Sequence, residues 1–94
     1  MRSIPPDAVA YQRTQSFSES SVPAGLLRRH DTKPGVWGRI RIEEGRLRYR
    51  ILEPEVEEHL LSPGHDGVVE PTIPHEVEVV GPVRFHVEFL RVPE

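Results

Sequence analysis

The sequence predicts a small all-β domain, an antiparallel β-barrel or sandwich, on three observations. Apolar and charged residues alternate with period two through residues 36–42 and again through 83–90. Ten prolines and seven glycines among 94 residues punctuate the chain too often for long helices. The intervals between these turn signals suit short strands, the spacing typical of sandwiches and barrels. The length supports one domain, running over 1–94. Its core is expected to be thin, because a chain this short buries roughly 60–65% of its unfolded surface.

The elements follow in order. Residues 1–20 mix Pro, Ser, Gln and Glu with scattered apolar residues such as Tyr11 and Phe17, which reads as a loosely structured N-terminal arm. Val36, Ile40 and Ile42 then alternate with Trp37, Arg39 and Arg41. Glu43-Glu44-Gly45-Arg46 supplies a turn in which Gly45 can take a positive φ. Leu47, Tyr49 and Ile51 alternate with Arg46, Arg48 and Arg50 on the return strand, completing a predicted hairpin. Glu53-Pro54-Glu55 breaks that strand, and a faint helical period over 55–61 is confined by Pro54 and Pro63 to about two turns. Further strands are expected at 59–61, 68–71, 75–79 and 83–90, with Gly81-Pro82 separating the last two. On the final strand Val83, Phe85, Val87 and Phe89 share one face, and Arg84, His86, Glu88 and Leu90 the other.

Composition excludes several classes. With no cysteine, neither disulfides nor thiolate zinc sites can form. The net charge of −3, from 15 acidic against 12 basic residues, argues against a nucleic-acid partner. No apolar leader or stretch of membrane-spanning length is present, so no membrane partner and a cytoplasmic location are expected.

Val22-Pro23-Ala24-Gly25-Leu26-Leu27-Arg28-Arg29-His30, Thr32-Lys33-Pro34-Gly35-Val36-Trp37-Gly38-Arg39-Ile40 and Gly45-Arg46-Leu47-Arg48-Tyr49 resemble the small cupin-like domain of the TehB/YeaR-like family. The later stretches Pro74-His75-Glu76-Val77-Glu78 and Arg84-Phe85-His86-Val87-Glu88-Phe89 resemble it too, so the likeness runs from about Tyr11 to Phe89. The resemblance implies a β-barrel of cupin (jelly-roll) type, a metal site and a link to tellurite resistance. It does not imply methyl transfer by these residues, because no Gly-rich strand–turn–helix for S-adenosylmethionine is visible.

Two groups of residues are candidates for chemistry. Imidazole is a ligand for zinc, iron or nickel. His75 shares an inward face with Val77 and Val79, and His30 shares one with Leu26 if 26–30 is extended. His86 and Glu88, together on one face of the last strand, complete the candidate metal ligands unless that face points outward. The expected cofactor is therefore a divalent metal, with no nucleotide cofactor; without metal, His30 and His75 would line a polar pocket.

The second group is arginine-rich. In the predicted hairpin Arg41 faces Arg48 and Arg39 faces Arg50, an opposition of like charges that costs a few tenths of a kcal/mol or more per pair. A small anionic ligand clasped by Arg39, Arg41 and Arg48, with Trp37 as a wall, would offset it. The alternatives are an exterior face on which the arginines pair with Glu76, Glu78, Glu88 or the acidic run 53–58, and a homodimer interface. No Ser-His-Asp order or nucleophile elbow is visible, so no enzymatic reaction is assigned. Three functions remain open: a metal-dependent small-molecule binder, a non-catalytic sensor, and a docking module for a methyltransferase.

Overall fold

The computed structural model describes every residue except Glu94. Six strands form one antiparallel sheet: β1 (Val9–Arg13), β2 (Phe17–Ser18), β3 (Trp37–Ile51), β4 (Glu57–Leu61), β5 (Gly67–Val69) and β6 (His75–Arg91). A single 3-10 turn, Ala24–Leu27, lies between β2 and β3. The strand order is β1-β6-β3-β4, with β2 also on β6 and β5 also on β3. The all-β, antiparallel class is as the sequence predicts. The sheet does not close on itself, so the fold is an open, bent sheet and not a closed barrel. Among the described residues no helix is long and apolar enough to cross a membrane.

The largest departure from expectation lies at the centre. Residues 36–51 do not form a hairpin; β3 runs unbroken through Glu43-Glu44-Gly45-Arg46. Likewise β6 continues through Gly81-Pro82, where a break was expected. The two long strands pair with each other from Trp37↔Leu90 to Ile51↔His75. Their register slips twice, between Ile42 and Glu44 and between Gly45 and Leu47. These slips are β-bulges, which bend a strand without ending it. Gly45 sits at the bend with φ +77°, and a Cβ there would lie 2.1 Å from the Pro82 carbonyl oxygen. Pro82 sits in the same irregular stretch, where a missing backbone donor is tolerated. The glycine and proline that read as turn signals are thus the two sides of one bend.

Bulging also keeps the hydrophobic pattern consistent. Ile42 and Leu47 are an odd number of residues apart, so an unbulged strand would turn Leu47 outward. The extra residue restores it, and Ile40, Ile42, Leu47 and Tyr49 all point into one core. From β6 the same core receives Val77, Val83, Phe85 and Val87; Leu61 and Val69 join from the other side of β3. Phe17 on β2 packs edge-on against Phe85, with ring centroids 5.6 Å apart. Tyr49 is buried, and its hydroxyl donates to the Val68 carbonyl at 2.9 Å. At Gly67 a Cβ would press on Leu61, Ile40 and Tyr49, so β5 packs closely over this core.

Candidate functional site

The site lies where the segment from Pro23 to Thr32 crosses the inner face of the sheet. The segment is pinned by a two-way backbone bridge: His30 N–H donates to His75 O at 2.9 Å, and His75 N–H donates to His30 O at 2.8 Å. Thr72 N–H, from the loop before β6, donates to Thr32 O at 3.1 Å. Beneath the segment is a cavity of about 240 Å³. Its floor is the sheet, through Ile40, Val69, Val77, Phe85 and Val87, and its roof is Pro23, Gly25 and Leu26. Thr14 and Thr32 also line it, with both hydroxyls engaged. Thr14 Oγ1 donates to Gln15 O and accepts from Val87 N–H, while Thr32 Oγ1 donates to Val36 O.

That leaves two imidazoles as the polar feature of an otherwise apolar space. His30 and His75 stand edge to face, with ring centroids 5.4 Å apart at 82°. His75 is only 4% exposed and also packs edge-on against Tyr49 at 5.9 Å. Its Nδ1 lies 3.1 Å from Ile73 O. A carbonyl oxygen only accepts, so Nδ1 carries the hydrogen and Nε2 holds a lone pair. Burial pushes the His75 imidazole below its ordinary range, the Ile73 hydrogen bond offsetting part of that and His30 adding to it.

The sequence-predicted metal ligands separate into two groups. His30 and His75 meet at the cavity, although Leu26 lies in the 3-10 turn Ala24–Leu27 and the extended 26–30 on which the face of His30 was predicted does not form. His86 and Glu88 lie on the opposite face of β6, which points away from Phe85 and Val87. His86 Nδ1 is bonded to Glu43 Oε2 at 2.8 Å, and Ser16 Oγ donates to the same oxygen at 2.6 Å. These two bonds hold the Glu43 carboxyl below the usual range. Glu88 is taken up by Arg39 at 3.4 Å and Arg41 at 3.5 Å. Among the described residues no three or more His, Asp or Glu side chains are grouped to hold a metal ion. Two imidazoles with no third His, Asp or Glu grouped beside them among the described residues fall short of the cupin metal centre, although the Nδ1 bond of His75 leaves its Nε2 free to act as a ligand.

The arginine face is likewise rearranged by the unbroken β3. Across the sheet Arg39 meets Glu88, Arg41 meets His86, Arg48 meets Glu78 and Arg50 meets Glu76. The predicted opposition of Arg41 to Arg48 and of Arg39 to Arg50 therefore does not arise. Arg48 reaches Glu78 at 2.7 Å, Arg50 reaches Glu78 at 2.9 Å and Glu58 at 3.0 Å, and Arg41 reaches Asp66 at 3.7 Å. Trp37, on the same face, stands opposite Leu90. The residues that sequence reasoning missed are the cavity walls, above all Leu26, Val77 and Phe89. Each reads as an ordinary core residue, and nothing local marks the space between them.

The TehB-like domain family model matches residues 12–87. A Haemophilus influenzae protein described as "Probable S-adenosyl-L-methionine-dependent methyltransferase TehB" is 27% identical over 78 residues, covering 79% of this chain and 27% of that protein. The same protein from a second H. influenzae strain matches equally. The chain thus spans about a quarter of the length of the curated relatives it matches. Among solved structures, a crystal structure of an E. coli (strain K12) protein superposes over the whole of both chains, with TM-score 0.89 and 26% identity. The crystal structure of TehB from H. influenzae superposes over 93% of this chain and 32% of that one, with TM-score 0.84 and 25% identity. The relatives also correct the expected cofactor: their description, a probable S-adenosylmethionine-dependent methyltransferase, names a nucleoside-bearing cofactor where a divalent metal and no nucleotide were expected.

Proposed function

The chain belongs to the TehB-like domain family, and from that premise we propose that it is a ligand-holding β-domain serving a methyl-transfer system. The family relates it to the tellurite-resistance methyltransferase TehB, and S-adenosylmethionine is the cofactor of that system. On this reading the domain does not assemble a catalytic set of its own. It takes a small, mainly apolar molecule into the cavity beneath residues 23–32, while the charged outer face is closed on itself by ion pairs.

The cavity carries this reading. The pocket of about 240 Å³ is lined almost wholly by apolar side chains and opens to solvent, so its walls are left facing water. A ligand that fills it would bury those walls, which is the form of most small-molecule sites.

Toluene, titrated into isotope-labelled protein, tests it by amide NMR. Saturable shifts at Leu26, Val77 and Phe89 are expected, and Leu26→Trp, which fills the cavity from its roof, should abolish them. No saturable shift, or shifts unchanged in the Leu26→Trp protein, would overturn the proposal.

A further inference from the structure

His75 Nε2 gives the cavity a chemical preference, and the inference here rests on the ligand-holding reading above. The ring is more than nine-tenths buried, with Nδ1 spent on the Ile73 carbonyl. Every sealed side-chain nitrogen or oxygen among the described residues has a hydrogen-bond partner. Among the described residues Nε2 has no hydrogen-bond partner, so it is not sealed: it opens into the cavity that His75 lines. A buried acceptor facing apolar walls is left costly unless something donates to it.

The remaining polar groups narrow the donor. Thr14 and Thr32 are engaged, as described above. His30, an exposed residue at the rim, has neither ring nitrogen bonded among the described residues and stands 5.4 Å away, centroid to centroid. Its N–H can donate to an oxygen seated beside the contacting rings, while His75 Nε2 accepts from that same oxygen's hydrogen. One atom that donates and accepts at once is a hydroxyl. A carboxylate oxygen has no hydrogen to give, and the walls around it offer no fixed cation: the arginines of β3 face the other side of the sheet.

We propose that the cavity selects a small uncharged molecule with an apolar body and one hydroxyl, seated with the hydroxyl on His75 Nε2 beside the His30 ring. Burial of His75, which disfavours its charged form, agrees with an acceptor role for Nε2. The volume suits a body of about ten non-hydrogen atoms, smaller than most drug-sized ligands.

Three probes test this in the wild-type protein, the isosteric pair para-tert-butylphenol and para-tert-butyltoluene and the anionic para-tert-butylbenzoate, each titrated by amide NMR. The phenol should bind about tenfold more tightly than the toluene, the effect of one satisfied buried hydrogen bond, and the benzoate should bind weakest. His75→Asn keeps an amide able to serve the Ile73 carbonyl but removes the group at Nε2, and should bring the phenol down to the toluene's affinity. Equal binding of phenol and toluene in the wild type overturns the hydroxyl inference while leaving the ligand-holding reading intact. Tighter binding of the benzoate overturns it in favour of an anion site. If none of the three binds, the ligand-holding reading itself fails.

Discussion

Replacing Gly45 by alanine should destabilise the domain far more than the same change at Gly64. Both glycines hold left-handed backbone, with φ +77° and +86°, a region that costs other residues on the order of 1–2 kcal/mol. At Gly64 nothing lies within 4 Å of where a Cβ would sit, so that cost is the whole effect. At Gly45 the Cβ would meet Pro82 O at 2.1 Å and Val83 Cα at 3.0 Å. Both are backbone atoms and cannot rotate away, so β3 and β6 must part at the bend. Loss of about two ladder hydrogen bonds there adds roughly 1 kcal/mol each. The sum is about 3–4 kcal/mol for Gly45→Ala against about 1–2 kcal/mol for Gly64→Ala. With a urea slope of roughly 1 kcal/mol per M for a small domain, the midpoint should fall by about 3 M in the first variant and about 1 M in the second. Circular dichroism and Trp37 fluorescence, recorded together, give the midpoints and check that unfolding is two-state. Equal midpoints for the two variants would refute the reasoning. The backbone of β6 would then not approach Gly45, as in a hairpin whose turn glycine meets open solvent.

Other substitutions probe the core, the outer face and the buried histidine. Phe85→Ala removes a fully buried ring in edge contact with Phe17 and should cost about 3–5 kcal/mol, read as loss of a cooperative thermal transition in a domain this small. Arg41→Ala, at a half-exposed residue whose ion pairs are 3.5 and 3.7 Å long, should change stability by no more than about 0.5 kcal/mol in urea titration. Arg50→Ala, facing Glu58, Glu76 and Glu78 together, should lower the urea midpoint more than Arg41→Ala does, with the difference shrinking in high salt. His75 binds a proton more readily unfolded than folded, so its contribution to stability is complete above the ordinary imidazole value of about 6.5. It is lost as pH falls below that value and through the lowered folded pKa. The urea midpoint should therefore decline as pH falls below about 6.5, and more steeply than in His75→Asn; parallel declines would count against a buried neutral imidazole.

Period-two patterning settles which side chains share a face, and it does so well here. Ile40, Ile42, Leu47, Tyr49, Phe85 and Val87 are all buried, and Arg39, Arg41, Arg48 and Arg50 all lie on the other face. Patterning says nothing about which strand lies next to which. A glycine with positive φ between two alternating segments is what a hairpin turn requires and also what a bulge requires. The two cases differ in whether a backbone approaches the glycine from outside the local segment, and here that backbone is Pro82, far along the chain. From this one ambiguity followed the false opposition of arginines: once β3 is continuous, each arginine meets an acidic or histidine residue on β6 instead.

The candidate site was legible to the same depth. The inward placement of His75 follows from its alternation with Val77 and Val79, and its meeting with His30 needed only that 26–30 cross the same face. His86 and Glu88 were drawn toward the metal idea by their chemistry alone, against their alternation with Phe85 and Val87, and the alternation won. This ordering has a physical basis. Turning the last strand over would expose Phe85, Val87 and Phe89 to water, at about 1.5–3 kcal/mol per large apolar side chain. Two added donors to a metal do not compensate when each already has a partner of its own, Glu43 for His86 and Arg39 with Arg41 for Glu88. What no pattern in one sequence can disclose is volume. Leu26, Val77 and Phe89 have the composition of a filled core, and only their three-dimensional spacing leaves a cavity between them. A ligand site whose walls are ordinary core residues is therefore visible in sequence through its polar exceptions alone, and in this chain those exceptions are His30 and His75.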